Sequence, residues 1–225
     1  MIEFDAASFS YGPRAVLRDV TLTLAPGSFH FLVGPSGSGK TTFLRLCYLD
    51  LAPTSGAVRF YGRDIGARDR DAVADLRKTI GVVDQDCQFL DHLALVENIA
   101  LPLHVSGLAT AARAEDLQAL LEWVDLTART DARPRELSGG ERQRAALARA
   151  VILSPEMILA DEPTGNVDWD MALRILTLLV ELNRMGKAVV VATHDLNLIR
   201  AAKARVATRV LRLAQGRVQL AGADL

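Results

Sequence analysis

Cysteine is scarce in this chain of 225 residues: only Cys47 and Cys87 occur, in unlike surroundings and without metal-ligand spacing. That excludes a disulfide-stapled scaffold and points to two reduced thiols in a cytosolic protein. An excess of charge is also missing. Lys and Arg total 26 against 27 Asp and Glu, a net charge of −1, whereas a general nucleic-acid binder would show a basic surplus. The opening Met1-Ile2-Glu3-Phe4-Asp5 lacks the basic and apolar stretches of a secretory leader. No apolar run approaches the roughly 18 residues that a membrane span needs. The stretch from Ile175 to Val180 is short and sits between Arg174 and Glu181. A chain of this kind working at a membrane has to dock to another protein there. Internal repeats, low-complexity tracts and charge blocks are missing too.

A chain of 225 residues is one large domain or two small ones, and hydrophobic residues make up 50% of it, so a substantial core is available. The segment Gly34-Pro35-Ser36-Gly37-Ser38-Gly39-Lys40-Thr41 fits G-x-x-x-x-G-K-[ST] at every fixed position. Before it, Ser28 to Val33 reads as a strand; after it, Thr42 to Cys47 has helical character. A strand, a glycine turn and a helix start together aim backbone N–H groups and a positive dipole end at one spot. Lys40 adds a point charge for the outer phosphates, and Thr41 a hydroxyl for Mg²⁺. The expectation is a nucleoside triphosphate site.

Strand signals also occur at residues 2–4, 20–24, 57–62, 80–83, 157–160 and 188–192. The continuous apolar runs among them suit parallel strands covered on both faces. Gln215-Gly216 between 210–213 and 217–220 predicts a closing hairpin. Residues from about 88 to 137 change character, offering helices such as Ala114 to Val124 and no convincing strand. Met171 to Arg184 reads as a further helix.

Two more motifs carry chemistry. Met157-Ile158-Leu159-Ala160 runs directly into Asp161-Glu162. An apolar strand ending in two carboxylates places them at the carboxyl edge of the sheet, beside the phosphate loop. Asp161 would hold Mg²⁺ through its water shell, and Glu162 would orient or deprotonate the attacking water. In Leu137-Ser138-Gly139-Gly140-Glu141, Ser138 and Glu141 form a capping box at the start of a helix running toward Leu153. Two glycines weaken a first helical turn, yet they leave its N–H groups open to phosphate oxygens, a second anion site.

With these motifs together, the chain resembles the nucleotide-binding subunit of ATP-binding-cassette (ABC) transporters over nearly its whole length. Leu137 to Gln143 looks like the family's signature motif, Gln85 like its glutamine loop, and Asp161-Glu162 like its Walker B end. Asn166-Val167-Asp168 is similar to the D-loop, His194 to the switch histidine, and Tyr11 to the aromatic residue that stacks on adenine. The resemblance implies an α/β P-loop NTPase, an ABC ATPase core with an antiparallel β-lobe and a helical insert. Residues 1–87 and 138–225 would form the core, and about 88–137 the insert, within one domain. It implies ATP held by Tyr11, Gly34, Pro35, Ser36, Gly37, Ser38, Gly39, Lys40, Thr41 and Thr42, with Mg²⁺ at Thr41, Gln85 and Asp161. Gln85, Glu162 and His194 would serve catalysis. Ser138, Gly139, Gly140, Glu141 and the D-loop Asp168 would act across a two-chain interface. One copy of each motif cannot complete such a site, so the ATP-bound form would be a homodimer.

The run Asp161-Glu162-Pro163-Thr164-Gly165-Asn166-Val167-Asp168 resembles the form found in a subgroup of cell-division (FtsE-type), lipoprotein-release and MacB-type export ATPases. Phe31 to Ser36 and Gly81 to Asp86 look most like the cell-division type, while Asp84, Val167 and Trp169 depart from the usual residues. This implies an integral membrane partner of FtsX type, at the cytoplasmic face of the inner membrane, and control of cell-wall hydrolases during division. A lipoprotein- or peptide-exporting ATPase is the alternative within the family. A soluble ABC protein would carry two cassettes or long insertions. A non-hydrolysing scaffold would not need Lys40, Asp161, Glu162 and His194 together. Between Phe89 and Leu103, the side chains of Leu90, Leu93, Leu95, Val96, Ile99 and Leu101 exceed what one short helix face needs. The expectation is a groove for a short helix of the membrane partner.

Overall fold

The computed structural model describes residues 1–64, 70–109, 113–165 and 167–221. Its elements run β1 (Ile2–Tyr11), β2 (Arg14–Leu24), β3 (Phe29–Val33), α1 (Lys40–Cys47), β4 (Ser55–Phe60), β5 (Arg63–Asp64), α2 (Arg70–Lys78) and β6 (Ile80–Val83). There follow α3 (Leu95–Val105), α4 (Ala114–Trp123), α5 (Gly139–Val151), β7 (Met157–Asp161) and α6 (Trp169–Arg184). The chain closes with β8 (Ala188–Ala192), α7 (Leu196–Lys203), β9 (Thr208–Ala214) and β10 (Arg217–Leu220).

Two sheets form. Strands β2-β1-β4-β5 make an antiparallel sheet of four. A six-stranded sheet has the order β10-β9-β3-β8-β7-β6, parallel except for the terminal β9/β10 hairpin. The continuous apolar runs explain the parallel part, because both faces are covered. Along β8, Val189 and Val191 enter one core with helices α3 to α7, while Ala188, Val190 and Ala192 enter a second core. That second core lies between the two sheets and includes Phe43, Leu44 and Leu46 of α1. Successive side chains of one strand thus feed different cores, as the two-residue period requires. Among the described residues, no helix is long and apolar enough to cross a membrane.

Several elements differ from expectation. The first hairpin is much longer than residues 2–4 and 20–24: β1 and β2 span ten and eleven residues. Ala6 at φ 44° and Asp19 at φ 47° sit at irregularities in that ladder and break its alternation. Strand β4 begins two residues early, at Ser55. Helices α2 and α7 were not anticipated. The helix expected from Ala114 to Val124 is found as α4, and after it come two short 3-10 turns, Thr127–Arg129 and Pro134–Glu136.

One close approach ties this architecture together. Helix α5 lies directly on β6, and a Cβ added at Gly81 would fall 2.3 Å from the Ala150 carbonyl oxygen. Only a residue without a side chain lets the helix backbone come so near the strand.

Candidate functional site

The carboxyl ends of β3, β8 and β7 share one edge, because Leu32 and Asp161 both pair with Ala192. Each strand delivers functional groups there, the arrangement expected at the strand ends of an open α/β sheet. From β3 the chain passes through Gly34–Gly39 into α1, whose N-cap Gly39 has φ 107°. Lys40 is nearly buried. Its Nζ donates to the Gly34 carbonyl at 3.0 Å and lies 3.7 Å from Glu162 Oε1. Thr41 Oγ1 donates to Asp161 Oδ2 at 2.6 Å.

The two adjacent acids point to different partners. Asp161 is the last strand residue and faces Thr41. Glu162 leaves the strand with φ 45°, its N–H donating to the Ala192 carbonyl at 2.8 Å. That left-handed step sends its carboxylate toward Lys40 and toward His194, whose Nδ1 is 3.0 Å from Oε1. Glu162 is nearly buried and the His194 side chain is mostly exposed. Burial pushes the Asp161 carboxyl above the usual range, the Thr41 hydrogen bond opposes this, and the Glu162 charge adds to it.

These groups line a cleft of about 750 Å³. Of the anticipated nucleotide, metal and catalytic residues, Tyr11, Ser36, Gly37, Gly39, Lys40, Thr41, Thr42, Gln85, Asp161, Glu162 and His194 line it. Gly34 contributes its carbonyl to Lys40, and Pro35 and Ser38 line a neighbouring cleft with Arg14 and Arg18. Arg14 and Val16 also line the main cleft and were not anticipated, because neither belongs to a sequence motif; Gly165, from the Asp161–Asp168 run, lines it too although no role was expected of it. Tyr11 is 44% exposed, so it is no core residue.

The cleft fits a triphosphate and a hard cation. Lys40 and the start of α1 stand on its wall, a point charge beside the free N–H groups of a helix N-terminus. The Thr41 and Asp161 oxygens lie side by side, with Gln85 on the same wall. Few protein oxygens and no cage suit Mg²⁺, which keeps its waters and takes substrate phosphates.

The signature segment lies elsewhere. None of Ser138, Gly139, Gly140 or Glu141 lines the cleft. The capping box is complete: Ser138 Oγ accepts from Glu141 N–H at 3.2 Å, and Glu141 accepts from Ser138 N–H at 2.7 Å and Arg129 Nε at 2.8 Å. These donors, the Ser138 N–H foremost, hold the Glu141 carboxyl below the usual range. Gly140 has a packing reason as well as its expected role, since a Cβ there would meet Met171 Cγ at 2.9 Å. Asp168 caps α6 by accepting from Met171 N–H at 2.9 Å, and Asn166 falls outside the described residues.

Helix α5 also grips the glutamine loop. Gln143 Nε2 donates to the Gln85 carbonyl at 3.5 Å, and Arg149 donates to the Gln88 carbonyl while its guanidinium sits 4.6 Å above the Phe89 ring. Of the apolar side chains expected to face a partner, Leu95 and Ile99 are buried in the core. Leu90 is exposed, and Leu93, Val96 and Leu101 are half-buried.

A family profile described as ABC transporter matches residues 17–165. The chain belongs to this family and is an ABC ATPase cassette. It is 43% identical over 191 residues to the methionine import ATP-binding protein MetN 2 of Burkholderia mallei, covering 84% of this chain and 48% of that protein. The chain thus spans about half the length of those import proteins. It is 40% identical over 217 residues to the cell division ATP-binding protein FtsE of Escherichia coli K12, covering 96% of each, and 36% identical over 208 residues to FtsE of Bacillus subtilis. Among solved structures, a dimeric bacterial ABC transporter cassette superposes with a TM-score of 0.86 at 33% identity over 97% of both chains. A dimeric post-hydrolysis cassette bound to ADP and Pi also gives 0.86, at 32% identity.

Proposed function

We propose that this chain binds and hydrolyses ATP as one half of a homodimer and transmits the cycle to an integral membrane partner. The observation that carries the reading is the convergence of Lys40, Thr41–Asp161 and Glu162–His194 at one sheet edge. Lys40 and the loop N–H groups hold the triphosphate, with Tyr11 taking the adenine face. Held by Thr41 and Asp161 beside Gln85, Mg²⁺ would supply charge neutralisation across the phosphate oxygens. Glu162 accepts a proton from the attacking water, and His194 fixes the carboxylate that does so. The signature residues of the second copy complete each site, consistent with their place outside the cleft of their own chain.

The particular role we propose is that of an FtsE-like subunit working with an FtsX-like membrane protein to control cell-wall hydrolysis during division. Relatives of that kind match end to end, over 96% of both chains in one case. The docking surface would be the exposed and half-buried set Leu90, Leu93, Val96 and Leu101, next to the glutamine loop. A methionine-import role is the second reading, favoured by the 43% identity to MetN 2. The place of action is the cytoplasmic face of the inner membrane. Glu162→Gln tests the chemistry: ATP binding should persist while turnover falls about 10²-fold or more, and a stable ATP-bound dimer should appear on size exclusion. Near-normal turnover would remove Glu162 from the mechanism. Capture of an FtsX-like protein from solubilised membranes supports the division role, and capture of an import permease overturns it.

A further inference from the structure

Helix α1 starts with the phosphate-binding Lys40 and Thr41, and one turn further it carries Arg45. The Arg45 guanidinium reaches the turn that follows α1 and the end of β1, and it also interacts with the Tyr48 phenol. Nε donates to Asp50 Oδ2 at 2.6 Å, and Nη1 donates to the Tyr11 phenol oxygen at 3.3 Å. Asp50 is set in place by the backbone. After Leu49, at φ 64°, the chain folds back so that the N–H groups of Asp50 and Leu51 both donate to the Arg45 carbonyl, at 2.9 and 3.2 Å. Tyr11 is the last residue of β1, and its ring meets Phe9 edge-on, with centroids 4.8 Å apart and planes at 82°. The ring is therefore held at two places, against the Phe9 ring and, at its oxygen, by Arg45, while it stays exposed on the wall of the cleft.

We infer that Arg45, anchored by Asp50, is a positioning residue for recognition of the nucleobase. A planar guanidinium fixed by a carboxylate loses little freedom in holding a third group. It keeps a tyrosine at the end of a hairpin from swinging about its side-chain torsions and presents the ring to a flat aromatic base. The base grip and the phosphate grip are then carried by one helix, so the span between them is constant. The inference rests on the proposed role of Tyr11 in stacking on the base. It assigns Arg45 to the base end of the ligand alone.

The test is a mutant cycle on the full chain, read by calorimetric titration with ATP and, separately, with inorganic triphosphate. Tyr11→Phe keeps the ring and deletes only the acceptor, so it disturbs no packing. Tyr11→Phe and Arg45→Ala should each weaken ATP binding about three- to tenfold, the range of one exposed hydrogen bond. The double variant should be no weaker than the weaker single variant. Inorganic triphosphate should bind all of them within twofold of the parent, and Arg45→Lys should recover part of the ATP affinity. Multiplicative losses in the double variant, or an equal loss for inorganic triphosphate, would overturn the inference. Tyr11→Ala separates it from the reading beneath it. Unchanged ATP affinity in Tyr11→Ala would sink base stacking itself. A large loss in Tyr11→Ala with none in Tyr11→Phe or Arg45→Ala would keep stacking and remove Arg45.

Discussion

Replacing Ser138 by Arg separates what the signature segment does for its own helix from what it does for a second chain. Within the chain, the change deletes the hydroxyl that accepts from Glu141 N–H at 3.2 Å. Loss of such a cap costs about 1 kcal/mol. A cation at the positive end of the α5 dipole adds about 0.5 kcal/mol. Glu141 keeps its bonds to the residue-138 N–H and to Arg129, so the rest of the box survives. For a chain of this size, about 1.5 kcal/mol lowers the melting midpoint by roughly 3–6 °C, which leaves the protein folded. Position 138 lines no part of the cleft, so a fluorescent ATP analogue should bind the isolated chain within twofold of normal. Turnover should fall at least about tenfold, because bulk and charge stand where a neighbour's terminal phosphate would lie. Light scattering should show no ATP-induced dimer. Ser138→Ala is the control: it loses the same cap and should melt similarly, yet close and turn over far better. If Ser138→Arg lost nucleotide binding while melting in the expected range, the two-chain site would be wrong. If Ser138→Ala failed as badly, the cap and not a cross-chain contact would explain the effect.

Three further outcomes follow from the geometry. Lys40→Ala removes the cation bonded to Gly34 and paired with Glu162, and should weaken ATP binding about tenfold or more in equilibrium titration. Gly81→Ala drives a methyl group into the Ala150 carbonyl and should cost about 1–3 kcal/mol in urea denaturation. His30 is buried in β3, and burial first, then Arg209, lowers its imidazole from 6.5 to about 4. Between those values the unfolded chain binds more protons than the native one, so stability should fall as the pH drops through that window. His30→Leu should flatten the profile of urea midpoint against pH there, and an unchanged slope would reject the assignment.

What could be read from the sequence was what is contiguous. Gly34 to Thr41 is a continuous segment, and the apolar runs of β3, β7 and β8 announce strands buried on both faces. The contact of Glu162 with His194 is different in kind. It depends on β7 and β8 lying side by side, and no spacing in sequence encodes that order. Helix α2 was not read because it buries no residue fully, and its apolar stripe, Val73 and Leu76, is short among charged residues. Helix α7 had two signals that went unread: the cap Asp195, which accepts from the N–H groups of Asn197 and Leu198, and the stripe of Leu198, Ile199 and Ala202. Asn98 sits inside an apolar run and is fully buried, its amide bonded to Leu90, Leu93 and Ala94. A polar residue amid apolar ones was the available sign that the preceding loop is stapled to α3. Arg14, Val16 and Arg45 belong to no motif, and only the folded chain brings them to the nucleotide cleft or its rim.

The close seat of α5 on β6 gives the helix the mechanics of a hinged bar. Its 13 residues make a rod about 20 Å long. The end near Ala150 is fixed against Gly81, and the far end carries Ser138. Gln143 and Arg149 grip the glutamine loop along its length. A tilt of only about 5° about the fixed end sweeps Ser138 through roughly 1.7 Å for a rod of that length. That displacement exceeds the tolerance of a hydrogen bond to a phosphate oxygen. A movement of the loop at Gln85 passed on through Gln143 would therefore be larger at Ser138, the end proposed to face a second chain.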